Sequence, residues 1–372
     1  MRHPFRRRTT RRTPLALRHA LLGVLLLLVA CGQPNAASDG KGAWPGPFGT
    51  PPAATPDLPP VTFPRDEAPH DSLTEWWYYT GHLRAKDGAR YGFESVIFQS
   101  IRSDIAPYFA AHSAITDRQR GTFHYDQRTQ QTPANQLGGE VNRGFDFRMG
   151  DWGWRGFDGR DHIEGNAPGY SYNLELIATK PPALHKGGYI DYGPAGGTYY
   201  YSRTRMTITG TIEDNGVRKN VTGEAWFDHQ WGNFLTVSNG GWDWFSAHLD
   251  DGSDFTVYLI KGEGQQIIGS LGTYVAPDGT AKDIDIADIK IQPVGQWTSA
   301  RTGVTYPSGW RVSLPSYGLD LTWTPTVQDQ ELDTRRSTIN IYWEGEVLIS
   351  GTRNGQPLGG EGYVELTGYD QK

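Results

Sequence analysis

The stretch WWYYTGHL at residues 76–83 returns as WDWFSAHL at residues 242–249, 166 positions later. Trp76 aligns with Trp242, Tyr79 with Phe245, His82 with His248 and Leu83 with Leu249. Each copy then reaches a DG pair and a strand-like run, YGFESVIF in the first and FTVYLI in the second. A second landmark repeats in the same order. VTGEAWFD at 221–228 corresponds to LGGEGYVE at 358–365, 137 positions on, and each follows an NG pair and, before it, a Gly-Thr pair. Two landmarks in matched order read as a duplication. The two offsets differ by 29 residues, and the extra length of the first copy is expected in the Gly- and Tyr-rich loops between Tyr125 and Tyr200.

Both copies read as β structure. The chain holds 47 Gly, 13 Trp and 19 Tyr in short alternating runs, with little sustained helical periodicity. DG and NG pairs punctuate it as hairpin turns. Many short antiparallel strands close as a barrel or stack as a sandwich, and a barrel removes the edges such strands would expose. Along 221–230, strand alternation puts Thr222, Glu224, Trp226, Asp228 and Gln230 on one face. The other carries Val221, Gly223, Ala225, Phe227 and His229. Whether the acidic face points into a lumen or into solvent stays open at this stage.

The N-terminus reads as an export signal. Seven arginines and no acid precede the apolar run Ala20–Ala30, which is too short to span a bilayer comfortably. The run ends in LVAC, and Cys31 is the chain's one cysteine. A lone cysteine cannot form an internal disulfide, so a lipobox with lipid attached at Cys31 is its best explanation. Residues 1–30 are therefore expected to be a lipoprotein signal peptide, and 31–60 the lipidated cysteine with a flexible tether. A first domain is expected over 61–235 and a second over 236–372. Loss of the signal takes seven arginines from the formal net charge of −6 and leaves −13. Such a chain has no electrostatic footprint for nucleic acid. Gly32 stands where an inner-membrane lipoprotein often has Asp, which favours a periplasm-facing anchor in the outer membrane of a bacterial envelope.

Several enzyme motifs are missing. There is no G-x-S-x-G elbow, H-E-x-x-H, C-x-x-C, P-loop or dinucleotide fingerprint. The ten histidines show no metal-ligand spacing, so no metal and no cofactor is expected. Acid–base chemistry stays open, because it needs only one or two placed carboxylates.

Seven segments, among them EWWYYTGHL (75–83), YYSRTRM (200–206), GEAWFDHQWG (223–232) and GWDWFSAHLDDG (241–252), resemble the AttH and carotenoid 1,2-hydratase family. AHSAI (111–115), WEGEV (343–347) and GYVELTGY (362–369) complete the set, which spans the whole mature body in order. The resemblance implies an all-β protein of two tandem lipocalin-like antiparallel barrels, with a pocket in the barrels or at their contact. It also implies handling of a hydrophobic small molecule, in some members beside an ABC-type export system. The hydratases carry a Trp–Asp–Arg–Glu–Trp-like run where this chain has Phe227, Asp228, His229, Gln230 and Trp231. The acid is kept and Arg–Glu has become His–Gln, which favours the AttH-like branch.

Two functions follow. One is a lipid-anchored carrier that binds or processes an apolar, isoprenoid or lipid-like molecule at the membrane, with an ABC-type permease as a further partner. The other is a hydratase in which Asp228 protonates a double bond, since a carboxyl among aromatics can stay protonated and ring faces steady a cation. The candidate catalytic residues are Asp228 and His229. The candidate ligand contacts are Glu75, Trp77, His112, Tyr201, Arg205, Trp226, Gln230, Trp231 and Trp244. Plainer readings stand beside them. Asp228 can be a carboxylate pinning a strand end, Glu75 can pair with Arg203 or Arg205, and the matched His82 and His248 are architectural.

Overall fold

The computed structural model describes residues 58–102, 105–132, 144–192, 196–234 and 240–370. The signal segment, Cys31 and nearly all of the tether lie outside the described residues. Those that are described fold almost entirely as β-strands joined by tight turns, with no α-helix among them.

The first sheet holds β1 (Thr74–Ala85), β2 (Arg90–Arg102), β3 (Ile105–Asp117), β4 (Thr122–Gln131), β5 (Phe145–Met149), β6 (Trp152–Phe157), β7 (Arg160–Ala167), β8 (Tyr170–Ala178), β9 (Ala183–Asp191), β10 (Gly196–Asp214) and β11 (Val217–Phe234). Its order is β4-β3-β2-β1-β11-β10-β8-β7-β6-β5, with β9 also on β10. The sheet curls until β4 meets β5 and β7, where Arg128 donates to the Met149 carbonyl at 2.8 Å. The segment expected as loops between Tyr125 and Tyr200 is largely β5 to β9. Its glycines sit at turns or pass close under neighbouring side chains, while alternate residues such as Phe145, Phe147 and Met149 point inward.

The second half repeats the plan with β12 (Trp242–Leu249), β13 (Asp254–Lys261), β14 (Ile267–Val275), β15 (Ala281–Asp283), β16 (Lys290–Pro293), β17 (Gln296–Thr298), β18 (Thr305–Pro307), β19 (Trp310–Leu314), β20 (Leu319–Pro325), β21 (Glu331–Asp333), β22 (Ile341–Arg353) and β23 (Gln356–Thr367). Its main sheet runs β15-β14-β13-β12-β23-β22-β20-β19-β16, with β21 on β22 and a separate β17–β18 pair.

The strand registers carry the duplication at the offsets seen in the sequence. Leu83 pairs with Gly223 and Leu249 with Gly360; Tyr78 pairs with Asp228 and Trp244 with Glu365. The long hairpins β10–β11 and β22–β23 both turn on the NG pairs, Asn215–Gly216 and Asn354–Gly355, whose φ angles are all positive. That is the two-residue turn whose twist suits a hairpin.

Each sheet wraps its own core. Trp77, Tyr79, Phe93, Trp154 and Phe227 fill the first; Phe245, Trp310, Trp323 and Trp343 fill the second. A smaller cluster of Tyr78, Val96, Trp226, Trp244 and Tyr363 is built from both sheets and lies in their contact. Polar side chains cross the same contact: Arg118 binds Glu346 (2.6 Å) and Glu361 (2.7 Å). His82 Nδ1 lies 2.7 Å from Glu346 Oε1, and His248 Nε2 donates to the Thr204 carbonyl at 2.6 Å. The paired histidines are thus architectural in their geometry.

Gly92 shows how close the approach is. A β-carbon there would lie 2.5 Å from the Tyr363 hydroxyl and 3.0 Å from Glu346 Cβ. Gly92→Val is therefore expected to lower stability by about 1–3 kcal/mol, the usual cost of overpacking, measured by urea unfolding. An unchanged midpoint would mean that the contact gives way without strain.

Candidate functional site

Strand β11 sorts the candidate residues by parity. Trp226, Asp228 and Gln230 face the contact between the sheets, while Phe227, His229 and Trp231 point into the first barrel. From Trp226 to Gln230 the acidic face is thus neither lumenal nor solvated: it is buried against the second half, while Thr222 at its start is exposed. Asp228 and His229, adjacent in sequence, serve two different places and do not form one acid–base pair. This is the division that β alternation gives, because neighbouring side chains leave a strand on opposite sides.

Asp228 is 3% exposed. Tyr200 donates to its Oδ2 and the Trp226 indole to its Oδ1, both at 2.7 Å. Ser202 donates to Oδ1 as well, and Trp244 donates to the Tyr200 hydroxyl at 3.2 Å. Behind Ser202 stands His185, whose Nε2 lies 2.7 Å from Ser202 Oγ and whose Nδ1 lies 2.8 Å from Thr273 Oγ1. Burial pushes the Asp228 carboxyl up to about 6, against the pull of its three donors. Glu365, the matching residue of the second copy, is pushed up to about 7 by burial. Glu94 is raised to about 8 and Glu344 well above the ordinary carboxyl range, again chiefly by burial. Tyr342 donates to Glu94 and Tyr78 to Glu344, each at 2.8 Å.

Four carboxyl groups therefore meet in an aromatic contact. Its outer rings, Trp76, Phe98, Trp242 and Tyr258, stay only partly buried while packing on the buried cluster. Chemically the place offers flat apolar faces near the surface and, behind them, acids whose ionisation burial opposes.

The second place is the mouth of the first barrel. Glu75 is fully buried, with Oε1 2.7 Å from His70 Nδ1 and 2.8 Å from His229 Nε2. Its Oε2 accepts from the His70 amide (2.8 Å) and from Gln99 Nε2 (3.1 Å). The pairing of Glu75 with Arg203 or Arg205 does not occur: Arg203 pairs with Glu67, and Arg205 with Glu224 and Asp254. Those arginines leave β10 toward other acids, whereas His229 is the diagonal neighbour of Glu75 on the β1–β11 ladder, two residues from its partner Trp231. His229 stacks on Trp77 (centroids 4.6 Å) and His70 on Trp231 (4.1 Å, 2° between planes). The Tyr201 hydroxyl lies 3.3 Å from His229 Nδ1. Burial lowers His229 to about 4. Outside this cluster opens a cleft of about 600 Å³, walled by Trp231, Tyr199, Tyr189, His70 and Asp66.

The candidate set divides accordingly. Asp228, Trp226 and Trp244 meet between the sheets, with Gln230 nearby against Tyr192. Glu75, Trp77, Tyr201, His229 and Trp231 meet at the mouth. His112 also belongs to the barrel contact, on the Tyr342 hydroxyl that donates to Glu94 and 5.3 Å from the Phe98 ring; Arg205 joins neither place. Both His112 nitrogens are engaged, with the Tyr342 hydroxyl at 2.7 Å and Ser337 Oγ at 3.0 Å, and Arg205 is an ion-pair hub. The sequence reading missed Tyr200, Ser202 and Glu94 between the sheets and His70 at the mouth. Tyr200 and Ser202 share the alternation of β10 and were within reach of it. His70 precedes β1 in an irregular segment without period.

An all-β chain of two lipocalin-like barrels in tandem, with aromatic and acidic side chains gathered at their contact, is the class that fold and geometry define. The AttH-like family model matches residues 54–369, and the chain belongs to that family. The crystal structure of an AttH protein from Nitrosomonas europaea is similar at 32% identity and a TM-score of 0.74, over 84% of this chain and 98% of that one. Kievitone hydratase from Nectria haematococca shares the fold at 18% identity and a TM-score of 0.67, over 84% of this chain and 94% of its own. No curated protein matches the sequence.

Proposed function

We propose that the chain binds a hydrophobic small molecule, isoprenoid or lipid-like, on the aromatic faces between its barrels. A lipid on Cys31 would hold it at the cell envelope, facing the periplasm. The observation that carries this reading is the half-buried quartet Trp76, Phe98, Trp242 and Tyr258, continuous with a buried aromatic cluster. Large rings left partly exposed in one contiguous patch mark a recognition surface more often than a solvated one. The lipobox supports the anchor, and the family resemblance supports a link to an ABC-type exporter.

The test is extraction of the purified protein with organic solvent and mass spectrometry of what co-elutes. An isoprenoid or lipid in stoichiometric amount is expected, and Trp242→Ala is expected to reduce it at least tenfold. An empty extract together with stable binding to a permease would replace the carrier by an adaptor.

A second reading is favoured by the Asp228 geometry. A buried carboxyl beside Trp226 and Trp244 could pass its proton to one carbon of a double bond. Water would then add to the other carbon and return a proton. This is hydratase chemistry, and the solved hydratase with the same fold lends it support at the level of architecture.

A further inference from the structure

We propose that His70, Glu75 and His229 form a site for one divalent transition-metal ion of the zinc class at the mouth of the first barrel. The inference goes beyond the small-molecule reading and stands without it. Two imidazole nitrogens and one carboxylate oxygen converge there from three parts of the chain: the segment before β1, the start of β1, and β11. The three donor atoms all lie within 4.8 Å of one another. They now share hydrogens, with both nitrogens 2.7–2.8 Å from the same Glu75 oxygen. Zinc bonds of about 2.0–2.1 Å in tetrahedral geometry place ligand atoms about 3.3 Å apart. Moving each nitrogen about half an ångström away from Oε1, with the two nitrogens brought to the same spacing from within 4.8 Å of each other, accommodates an ion in place of the shared protons.

The surroundings are those of a held ligand set. The second Glu75 oxygen is fixed by the His70 amide and Gln99, leaving Oε1 to coordinate. Buried Gln99 leaves its own Oε1 without a hydrogen-bond donor among the described residues. His229 is gripped on its far nitrogen by Tyr201 and by the Trp77 face. His70 is stacked on Trp231, and Asp66 Oδ1 lies 3.6 Å from its Nε2. A carboxylate behind a ligating imidazole orients the ring and raises its basicity. Asp66 is itself held by Arg65 and the Thr62 amide. The donor set suits borderline ions and not calcium or magnesium, which take oxygen ligands. Three protein ligands, of which His70 also lines the open cleft, leave a fourth position for water or a ligand atom, the pattern of a reactive zinc site.

The experiment strips the full chain with a chelator and measures Zn²⁺ uptake by equilibrium dialysis. Co²⁺ serves as the visible-absorption probe of coordination number. One ion per chain is expected, with the intense visible band of four-coordinate cobalt. Glu75→Gln and His229→Gln are expected to abolish uptake, and Asp66→Asn to weaken it about 10–100-fold. His70→Ala changes only a partly exposed side chain at the rim; if a buried variant unfolds, its loss of uptake decides the matter. Uptake below one tenth of an ion per chain, or uptake unchanged in His70→Ala, overturns the proposal and leaves a hydrogen-bonded trio. Neither result touches ligand extraction at the barrel contact.

Discussion

Raising the pH from 6.5 to 8.5 is expected to destabilise the folded body by on the order of 3 kcal/mol. The cause is the set of buried carboxyls whose protons the native state retains. Glu94 is held up at about 8 and Glu365 at about 7, Glu344 is raised beyond its ordinary range, and Asp161 inside the first barrel stands at about 7; burial is the main cause each time. An unfolded chain releases these protons near pH 4–4.5. Above that pH the native state binds more protons than the unfolded state, so stability falls as pH rises through the folded values. Buried histidines act in the opposite sense. His112 and His185 at about 3 and His248 at about 4 are neutral in the fold but charged when unfolded below about 6.5. Their contribution is gained as pH rises and is complete by neutrality. Glu361, held at about 2 chiefly by His82 and the Arg118 ion pair against the cost of burial, has likewise given its share well below pH 6. The histidine gain offsets much of the carboxyl loss up to about pH 6.5, and the decline steepens above it. Urea unfolding at pH 6.5, 7.5 and 8.5 reads this directly, and Glu94→Gln is expected to flatten the decline while keeping the Tyr342 hydrogen bond. A flat profile would show that the contact hydrates and its acids ionise freely.

The same acids show how much the sequence reveals. The duplication was legible because strand pairing preserves spacing, and the offsets of 166 and 137 residues reappear in the registers of β1–β11 and β12–β23. Asp228 and Glu365 were aligned by those offsets, and they meet across the barrel contact. The faces of β11 were not assignable. Alternation separates two sets of side chains, but ordinary reasoning sends one set to a core and the other to water. Here Phe227 packs in one core while Trp226 packs against the second barrel, so both sets are buried. Chain-distant pairs such as Tyr78 with Glu344 depend on how two curled sheets dock, and no local pattern encodes that. His229 and Trp231, which have no counterpart in the second copy, proved to line the mouth with His70. What distinguishes the first barrel from its duplicate is therefore concentrated at that end.

Asp228→Asn separates a structural carboxylate from a catalytic one. If the chain hydrates a double bond, loss of the acid is expected to lower turnover of an isoprenoid or polyene alkene by about 10²–10⁴-fold. The fold should tolerate the change, as the hydrogen bonds show. Trp226 can only donate, so the new amide must keep its oxygen toward Trp226 and Ser202. Its NH₂ then faces Tyr200, whose hydroxyl already accepts from Trp244. That hydroxyl can accept again, but its own hydrogen loses the carboxylate. One unmade buried hydrogen bond costs about 1–3 kcal/mol, too little to unfold a body with two full cores. Circular dichroism and a urea midpoint verify the fold, and product formation by mass spectrometry verifies the chemistry. A folded variant with undiminished turnover would remove Asp228 from the reaction. A folded variant that loses turnover but still co-purifies with the apolar molecule would assign the proton to Asp228 and the binding to the aromatic faces around it.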